Sequence, residues 1–294
     1  MIEGILKGLQ TSIVLLLTLL LVASCSPQTT APHRGTQSPG PSILADLPSP
    51  TPAKPSHVFV IVMENSSYES AMAQPYLSGL AAQYAEATDY HPITTPSLPN
   101  YLAMTSGSTW GIRDDNYHRL PSTGLGAELT DANVAWKAYM EGFTGDCFKS
   151  PYPYALKHNP FAYLGGQCPP NIVPMDQLAT DLSSGPPQLS WITPGLCHDG
   201  HDCSRQVADR WLAAVVPQIL ASPAWQDNGV LFITADEADG GGDRVPFVIA
   251  APQLHGQQLT QTYDHYSLLA TIADALGVSR PGESAQANPI PLNG

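Results

Sequence analysis

Apolar runs separated by polar segments are the main pattern of the chain from residue 57 onward. The first run, Val58–Met63, is continuously apolar and rich in β-branched residues, which is typical of a strand buried on both faces. The same pattern predicts further strands over residues 134–140, 189–193, 230–234 and 247–250. Strands buried on both faces belong to sheets covered by other elements, most often parallel sheets.

Helical spacing of apolar residues appears between these strands. It predicts a long helix over Arg205–Ala221, a helix over residues 77–84, and a last helix over residues 266–276 that ends at Gly277. Strands that alternate with helices predict an α/β fold, with a mostly parallel sheet flanked by helices on both faces. In such sheets the binding crevice lies at the carboxyl ends of the strands.

Ser97 opens a further short helix in the segment Ser97-Leu98-Pro99-Asn100. We expect Ser97 to be the N-cap and Pro99 to lie in the first turn, where the missing N–H of proline costs nothing. Unpaired N–H groups and the positive end of the helix dipole attract anions to such a position. The serine is therefore either a simple cap or a nucleophile that faces a phosphate.

The N-terminal residues have the pattern of a targeting segment. Lys7 precedes an apolar run over residues 13–23, which is too short for a membrane span and typical of a signal peptide. The run ends in Val-Ala-Ser-Cys, which resembles the bacterial lipobox with Cys25 as the lipidated residue. An ordinary secretory signal with a free cysteine is the alternative.

These patterns divide the chain into four parts. We expect a signal peptide with a lipobox over residues 1–25 and a disordered tether rich in Pro, Ser and Thr over residues 26–55. The folded domain is expected over residues 56–280, followed by a C-terminal tail over residues 281–294. The product would be exported, as a cell-surface or periplasmic lipoprotein, or secreted if Cys25 is not lipidated.

The charge of the chain limits the classes of partner that it could bind. The 294 residues carry a formal net charge of -13 and contain only 12 Lys and Arg residues. Such a chain lacks the basic surface that nucleic acids require, and it would meet a membrane only through its lipid anchor. An anionic substrate would need local positive charge, for which a metal ion is the simplest source. No pattern indicates an oligomeric state.

Four cysteines remain besides Cys25, and an even number in an exported chain favours disulfides. Cys197 and Cys203 would close the loop over residues 198–202, and Cys147 and Cys168 would then close the insertion that precedes it. Other pairings stay open, as does a thiolate zinc site, although the chain contains no CxxC pair.

Acidic and amide side chains directly follow two of the predicted strands. Glu64 and Asn65 come after the first strand, and Asp236 and Glu237 come after the strand at 230–234. Adjacent carboxylates at the edge of a core repel one another unless a cation joins them. Oxygen ligands of this kind suit Ca²⁺, Mg²⁺ or Mn²⁺, and carboxylates also serve Zn²⁺ and Fe. Two solvated turns are the alternative.

Histidines and further acids lie in three loops. In His198-Asp199-Gly200-His201-Asp202 we expect Asp199 and His201 to face one ion or one phosphate, and His198 to be exposed. Another pair, Lys157 and His158, would supply cations to a phosphate, and a structural role for the histidine is the alternative. His265 would be a ligand, a general acid or part of a helix cap. The residue types suit attack of a metal-activated hydroxyl on phosphorus.

Six ordered motifs resemble those of the phosphoesterase family, which holds bacterial acid phosphatases and phospholipases C within the alkaline phosphatase superfamily. The resemblance extends from residue 57 to about residue 278. The motifs are Val62-Met63-Glu64-Asn65, Pro96-Ser97-Leu98-Pro99-Asn100-Tyr101, Lys157-His158-Asn159-Pro160-Phe161, His198-Asp199-Gly200-His201-Asp202, Asp236-Glu237 and Tyr263-Asp264-His265-Tyr266.

The resemblance implies an alkaline-phosphatase-like core and a role for each matching residue. Ser97 matches the nucleophile, which would pass through a phosphoserine, and Asn100 matches the asparagine that contacts phosphate. The implied metal ligands are Glu64, Asn65, Ser97, Asp236 and Glu237. The residues implied to line the phosphate site are His158, Asp199, His201 and His265.

One divalent ion is implied, and a second would involve Asp199, His201 and His265. The chain departs from many relatives in having Ala238 and Arg244 where they carry histidine, which weakens the case for a second ion. Arg244 would instead serve the phosphate or pair with Asp243.

The sequence therefore predicts metal-dependent hydrolysis of phosphate monoesters of the acid phosphatase type outside the cytoplasm. The substrate would be a phosphorylated small molecule or lipid. A phosphodiesterase or phospholipase C that acts on lipid headgroups is the alternative, and a surface lipoprotein without catalytic activity is the third hypothesis.

Overall fold

The computed structural model describes residues 54–293, which contain ten strands and eight α-helices. The strands are β1 Val58–Met63, β2 Ala85–Ala87, β3 Tyr90–His91, β4 Trp136–Met140, β5 Ile172–Pro174, β6 Leu189–Thr193, β7 Val230–Ala235, β8 Phe247–Ala250, β9 Gln257–Leu259 and β10 Tyr263–Asp264. The helices are α1 Tyr68–Met72, α2 Pro75–Gln83, α3 Ser97–Ser106, α4 Leu125–Asp131, α5 Gln177–Ser184, α6 Arg205–Ala221, α7 Pro223–Gln226 and α8 His265–Leu276. Short 3₁₀ helices cover Leu156–His158, Pro160–Ala162, Asp239–Gly241 and Gly282–Ala285.

Eight of the strands form one sheet in the order β5-β4-β6-β1-β7-β8-β2-β9. The five strands from β5 to β7 are parallel, and β8 is antiparallel to both of its neighbours. Val58 of the central strand β1 lies opposite Leu189 on one side and Val230 on the other. The carboxyl ends of β1, β6 and β7 therefore meet at one edge of the sheet.

Helices cover the sheet in two groups. One group pairs α3 with α8, which also contacts β1, and the other pairs α2 with α6. Every residue of β1 is at most 5% exposed, which explains why this strand is apolar without alternation. The predicted α/β fold with a mostly parallel sheet is confirmed.

Several predicted boundaries shift by one or two residues. The helix expected over 77–84 begins at Pro75, since proline fits the first turn of a helix. The strand expected over 134–140 begins at Trp136, and α8 begins at His265 because Asp264 caps it by accepting the N–H of Ser267 at 2.9 Å. Gly277 ends α8 in the left-handed region, as predicted.

Both predicted disulfides are present. Cys147 is bonded to Cys168, and Cys197 is bonded to Cys203. The second disulfide closes the loop between β6 and α6, which carries Asp199 and the histidines beside it. Two disulfides are consistent with an oxidising compartment.

Residues beyond α8 pack against the body of the domain. The segment Gly282–Ala285 contacts α8, and Ile290 is 2% exposed with its N–H donated to Thr271 Oγ1 at 2.7 Å. The predicted signal peptide, Cys25 and most of the tether lie outside the described residues. Within residues 54–293, no helix is both long enough and apolar enough to cross a membrane.

Candidate active site

Polar side chains that follow β1, β6 and β7 meet at the carboxyl edge of the sheet, as expected. Backbone hydrogen bonds join the three strand ends: Glu64 N–H donates to Asp199 O at 3.0 Å, and Ser66 N–H donates to Glu237 O at 2.9 Å. Asn65 takes a left-handed conformation with a φ of 42° and donates its N–H to an Asp236 carboxyl oxygen at 3.3 Å. The edge is therefore rigidly connected, and its carboxylates are held close together.

Ser97 is the first residue of α3 and only 1% exposed. The predicted N-cap role is wrong, because Pro96 occupies the cap position and the Ser97 hydroxyl makes no capping bond. The hydroxyl oxygen instead lies 3.3 Å from Glu237 Oε1 and 3.4 Å from Lys157 Nζ. The N–H of Leu98 is bound by Asp115, which accepts it at 3.0 Å. The Ser97 hydroxyl therefore contacts side chains of the site and not the backbone N–H groups of its helix.

Lys157 provides the cation nearest to the Ser97 hydroxyl among the described contacts. Its ammonium group also lies 3.3 Å from Asp115 Oδ2 and 3.3 Å from His201 Nε2. Burial alone would lower the pKa of Lys157, but the charges of Glu64 and Asp115 raise it above its usual value. The side chain is therefore charged at neutral pH, and Asp115 holds both Lys157 and the start of α3.

Asp115 was not among the site residues predicted from sequence. It lies in a loop after α3, 17 residues from Leu98 and 42 residues from Lys157. Nothing in the local pattern marks this acid, because both of its contacts depend on how distant segments meet.

His158 is buried between two carboxylates. Its Nε2 atom lies 2.6 Å from Glu64 Oε1, its Nδ1 atom lies 3.3 Å from Asp199 Oδ2, and its ring stacks on Tyr101 with the centroids 5.1 Å apart. Burial lowers the pKa of His158, but the two carboxylates raise it to about 9. The ring is therefore an imidazolium that neutralises the acids beneath the site, and both of its nitrogens face carboxylates.

The pKa values of the other buried acids depend on the charges of their neighbours. Burial raises the pKa of Glu64, but the charge of His158 outweighs it and lowers the pKa to about 2. Burial and the charge of Glu64 raise the pKa of Asp236 far above its usual range and that of Glu237 to about 7. Glu64 is therefore ionised. The raised pKa values of Asp236 and Glu237 show that too little positive charge lies near them to offset burial and the charge of Glu64.

A buried oxygen of Asp236 bears on whether the side chains here fit a metal ion. Its Oδ2 atom is buried and receives no hydrogen bond from any donor in residues 54–293, while the carboxyl group of Glu64 lies beside it. Two facing carboxyl groups need either a shared proton or a cation between them. Within residues 54–293, no group of three or more His, Cys, Asp or Glu side chains has the geometry of a metal site. The donors nevertheless fit a hard divalent cation, which would be held by Glu64, Asn65, Ser97, Asp236 and Glu237.

Asn100 was expected to donate to phosphate, but the structure turns it to the loop before Ser97. Its Oδ1 atom accepts the N–H groups of Ile93 and Thr94 at 3.0 Å each, and its amide donates to Thr94 O at 2.7 Å. The side chain is fully buried. The correction is therefore that Asn100 holds the loop in place beneath the nucleophile position.

His265 was expected as a ligand or acid, and it too has other partners. Its Nε2 atom lies 2.6 Å from the backbone oxygen of Asp236, and its Nδ1 atom lies 3.0 Å from the hydroxyl of Tyr90. Burial lowers the pKa of His265 to about 4, so the ring is neutral. Because both ring nitrogens are engaged, His265 positions the turn that carries Asp236.

Asp199 and His201, which were expected to face one ion or one phosphate, have different partners in the loop after β6, whereas His198 is partly exposed. Asp199 is fully buried, and its Oδ1 atom accepts the N–H of His201 at 2.8 Å. The His201 ring lies at the rim, with 32% of its side chain exposed and Nδ1 2.7 Å from Asp202 Oδ1. His198 has 43% of its side chain exposed and lies 2.7 Å from Glu141 Oε1, away from the acids around Ser97.

Two arginines have structural roles. Arg244 was expected to serve phosphate or pair with Asp243, and both expectations are wrong: it pairs with Glu69 and lies over the ring of Tyr68, 4.8 Å from the centroid. Arg205 donates to the backbone oxygens of Gly200, at 2.6 Å, and Asn65. It therefore ties the loop after β6 to the turn after β1.

A sequence model of the phosphoesterase family matches residues 70–279. The chain belongs to the phosphoesterase family. Among curated relatives, the probable acid phosphatase of Kluyveromyces lactis is 30% identical over 237 residues, which cover 73% of this chain and 56% of that protein. The phosphatidylinositol-3-phosphatase of Mycobacterium tuberculosis is 29% identical over 246 residues, which cover 80% of this chain and 81% of that protein. The acid phosphatase of Aspergillus fumigatus is 28% identical, and the chain spans only 55% of its length.

Solved structures share the fold of this chain. An alkaline phosphatase superfamily protein from Vibrio parahaemolyticus superposes with a TM-score of 0.56 and 13% identity, over 82% of this chain and 71% of that one. The phosphonate monoester hydrolase of Agrobacterium radiobacter gives a TM-score of 0.53 and 11% identity, over 81% and 78%. At these identities the likeness concerns the fold alone.

Proposed function

We propose that the chain is a metal-dependent phosphomonoesterase of the acid phosphatase type, with Ser97 as the nucleophile. The observation that carries the proposal is the position of the Ser97 hydroxyl, 3.3 Å from Glu237 and 3.4 Å from Lys157 at the start of α3. A hydroxyl that makes no capping bond at a helix N-terminus, next to a cation and an acid, is placed to attack an anion.

The reaction would proceed in two displacements. The Ser97 oxygen forms a bond to phosphorus while the ester P–O bond breaks, and the alcohol leaves with a proton from solvent. Glu237 Oε1, which lies 3.3 Å from the hydroxyl, is the acceptor for its proton. Water then attacks the phosphoserine, which releases inorganic phosphate and restores the serine.

Positive charge is the missing part of this site. Lys157 stabilises oxygens of the phosphoryl group, but Asp115 already neutralises part of its charge. A divalent cation bound by the acids after β1 and β7 would lower the pKa of the serine hydroxyl and neutralise the phosphoryl group. The buried Asp236 oxygen that lacks a donor within residues 54–293 supports this part of the proposal.

The relatives support the reaction class and leave two substrate classes. The relatives named acid phosphatases support soluble phosphate monoesters. The mycobacterial relative, whose name specifies a phosphatidylinositol phosphate, is matched over 81% of its length and supports a lipid headgroup monoester as the second candidate. The two disulfides support export, and anchoring through Cys25 remains a proposal that mass spectrometry of the mature N-terminus would test.

Substitution of Ser97 tests the nucleophile. We expect Ser97→Ala to lower kcat by at least about 10³-fold on a phosphate monoester, because attack would be lost. Ser106→Ala is the matched control, since Ser106 is also buried, lies at the other end of α3 and bonds only to Leu102, Ser108 and Trp110. Acid quenching and mass spectrometry should find phosphate on residue 97 during turnover. Normal turnover by the alanine variant would refute the proposal.

Metal dependence has an independent test. Purified protein should contain a divalent metal by elemental analysis, and Asp236→Asn should lose it while keeping the fold, since it removes one carboxylate from the ligand set. Parallel assays on a phosphate monoester and on phosphatidylcholine separate a monoesterase from a phospholipase C. Monoester turnover that chelation does not affect, in protein without metal, would overturn the metal requirement.

A further inference from the structure

Two aromatic rings stand exposed on the surface near the predicted nucleophile. Tyr117 and Phe148 are each 44% exposed, and they are two of the four large hydrophobic side chains that are exposed within residues 54–293. Their rings meet edge to face, with centroids 5.3 Å apart and an interplanar angle of 82°. They come from loops 31 positions apart in the sequence, so the pairing depends on the fold. We call the pair the aromatic shelf.

The aromatic shelf rests on the helix that carries Ser97. The ring of Tyr117 contacts that of Tyr163 at 5.4 Å between centroids, and Tyr163 is 1% exposed. Tyr163 belongs to a small apolar cluster with Leu98 and Leu102 of α3. Since Leu98 directly follows Ser97, one layer of side chains separates the shelf from the start of the helix.

The loop of Tyr117 also contacts Lys157 and the start of α3. Asp115, two residues before Tyr117, binds the N–H of Leu98 and lies 3.3 Å from Lys157 Nζ. Asp114 fixes the same loop by accepting the N–H of Asn116 at 2.9 Å and contacting His118 at 2.7 Å. The shelf is therefore held in a fixed relation to the cation and the hydroxyl.

Phe148 is fixed in a similar way. Its N–H donates to Asp146 Oδ1 at 3.1 Å, and its neighbour Cys147 is bonded to Cys168. The backbone that carries each ring is therefore held in place before any ligand arrives, which reduces the entropy cost of binding on the rings. Each exposed ring offers a large apolar area on which an aromatic group of a ligand can pack.

We propose that the aromatic shelf binds the apolar, aromatic part of the substrate alcohol while its phosphate lies at Ser97 and Lys157. The inference rests on the proposed function and narrows its substrate class to aryl and arylalkyl phosphate monoesters. An aromatic group that packs on the two exposed rings gains contact area that a small polar alcohol does not offer. The site would therefore distinguish substrates by the group beyond the ester oxygen.

The test compares ligands that differ only in the aromatic group. Binding of 2-phenylethylphosphonate and ethylphosphonate to the full chain is measured by calorimetry, and kcat and KM are measured for the two corresponding phosphate esters. Both esters release primary alcohols, so their intrinsic reactivity is similar. We expect the phenylethyl compounds to bind about tenfold more tightly, mainly through KM.

The double variant Tyr117→Ser and Phe148→Ser should bring the two affinities together. Trp110→Ser is the matched control, because Trp110 is 38% exposed but lies beyond the other end of α3, about 15 Å along the helix from Ser97. This control should keep the tenfold ratio, and thermal unfolding should show that all variants are folded.

Each contrary outcome has a distinct meaning. Loss of turnover with an intact binding ratio would refute the proposed function and leave the shelf supported. Equal affinities in the unmodified chain, or no phosphonate binding, would overturn the shelf. An unchanged ratio in the double variant, with loss of binding to phosphatidylcholine vesicles, would also overturn it and assign the rings to a lipid surface.

Discussion

Replacement of Lys157 by methionine should weaken catalysis without unfolding the protein. Methionine keeps much of the length and apolar volume of the side chain but removes the charge that lies 3.4 Å from the Ser97 hydroxyl. Two unit charges about 4 Å apart interact by about 4 kcal/mol at an effective dielectric constant of 20. This figure is an upper bound for the loss at this site.

The structure reduces that bound. Asp115 lies 3.3 Å from the ammonium group and offsets part of its charge, and 19% of the Lys157 side chain is exposed to screening solvent. We therefore expect roughly half of the interaction, about 2 kcal/mol, to be lost, which corresponds to a decrease in kcat/KM of about 30-fold. Most of the decrease should appear in kcat, because charge on the phosphoryl oxygens and the leaving group changes in the transition state.

The assay is steady-state hydrolysis of a phosphate monoester by purified variants with equal metal content. Lys157→Arg keeps the charge and should lose less activity than the methionine variant. Lys137→Met is the matched control, since Lys137 pairs with Asp181 at 2.6 Å and makes no contact with the acids around Ser97. A methionine variant within threefold of the unmodified enzyme would refute the role assigned to Lys157.

Two further predictions concern stability. Loss of the Cys147–Cys168 disulfide should cost about 3 kcal/mol and loss of Cys197–Cys203 about 2 kcal/mol, because they close segments of 21 and 6 residues; urea unfolding of paired Cys→Ser variants would contradict this if the order were reversed. Asp181→Asn should lower the melting temperature at pH 7 and lose its effect as the pH falls below about 3.9. Burial raises the pKa of Asp181, but hydrogen bonds from Lys137 and Tyr139 outweigh it and leave the pKa below its usual value, so the carboxylate stabilises the fold only where it is ionised. Melting curves between pH 2 and 8 would oppose this account if the difference grew towards acid.

The central strands could be predicted from sequence because burial on both faces leaves a continuous apolar signal. Val58–Met63 and Val230–Ala235 are both buried along their whole length, and each was found within one residue. The strands Ala85–Ala87 and Gln257–Leu259, of three residues each, were missed. At that length no periodicity can develop, and their pairing at the far edge depends on the rest of the sheet.

The meeting of the acids could also be predicted, because parallel strands end at the same edge. Which atom of each side chain faces the site could not. His265 and Asn100 both lie close to the predicted ligands, yet each has its polar atoms engaged by backbone or by a buried hydroxyl. Sequence proximity to a motif gives the neighbourhood of a side chain, whereas its direction follows from three-dimensional contacts. Arg244 illustrates the same limit, since its partner is Glu69 and its sequence neighbour Asp243 is not.

At the start of α3, Asp115 and not Ser97 accepts a free backbone N–H, which is why the predicted serine cap is wrong. A hydroxyl that caps a helix uses its oxygen to accept a backbone N–H, and that oxygen then attacks phosphorus less readily. Here a distant acid, Asp115, accepts the N–H of Leu98, while Ser97 stands one position inside the helix. The N–H of Leu98 is satisfied without the serine, and the serine hydroxyl contacts Lys157 and Glu237. Asp115→Ala should therefore lower kcat on a phosphate monoester in steady-state assays, and unchanged turnover would contradict this account.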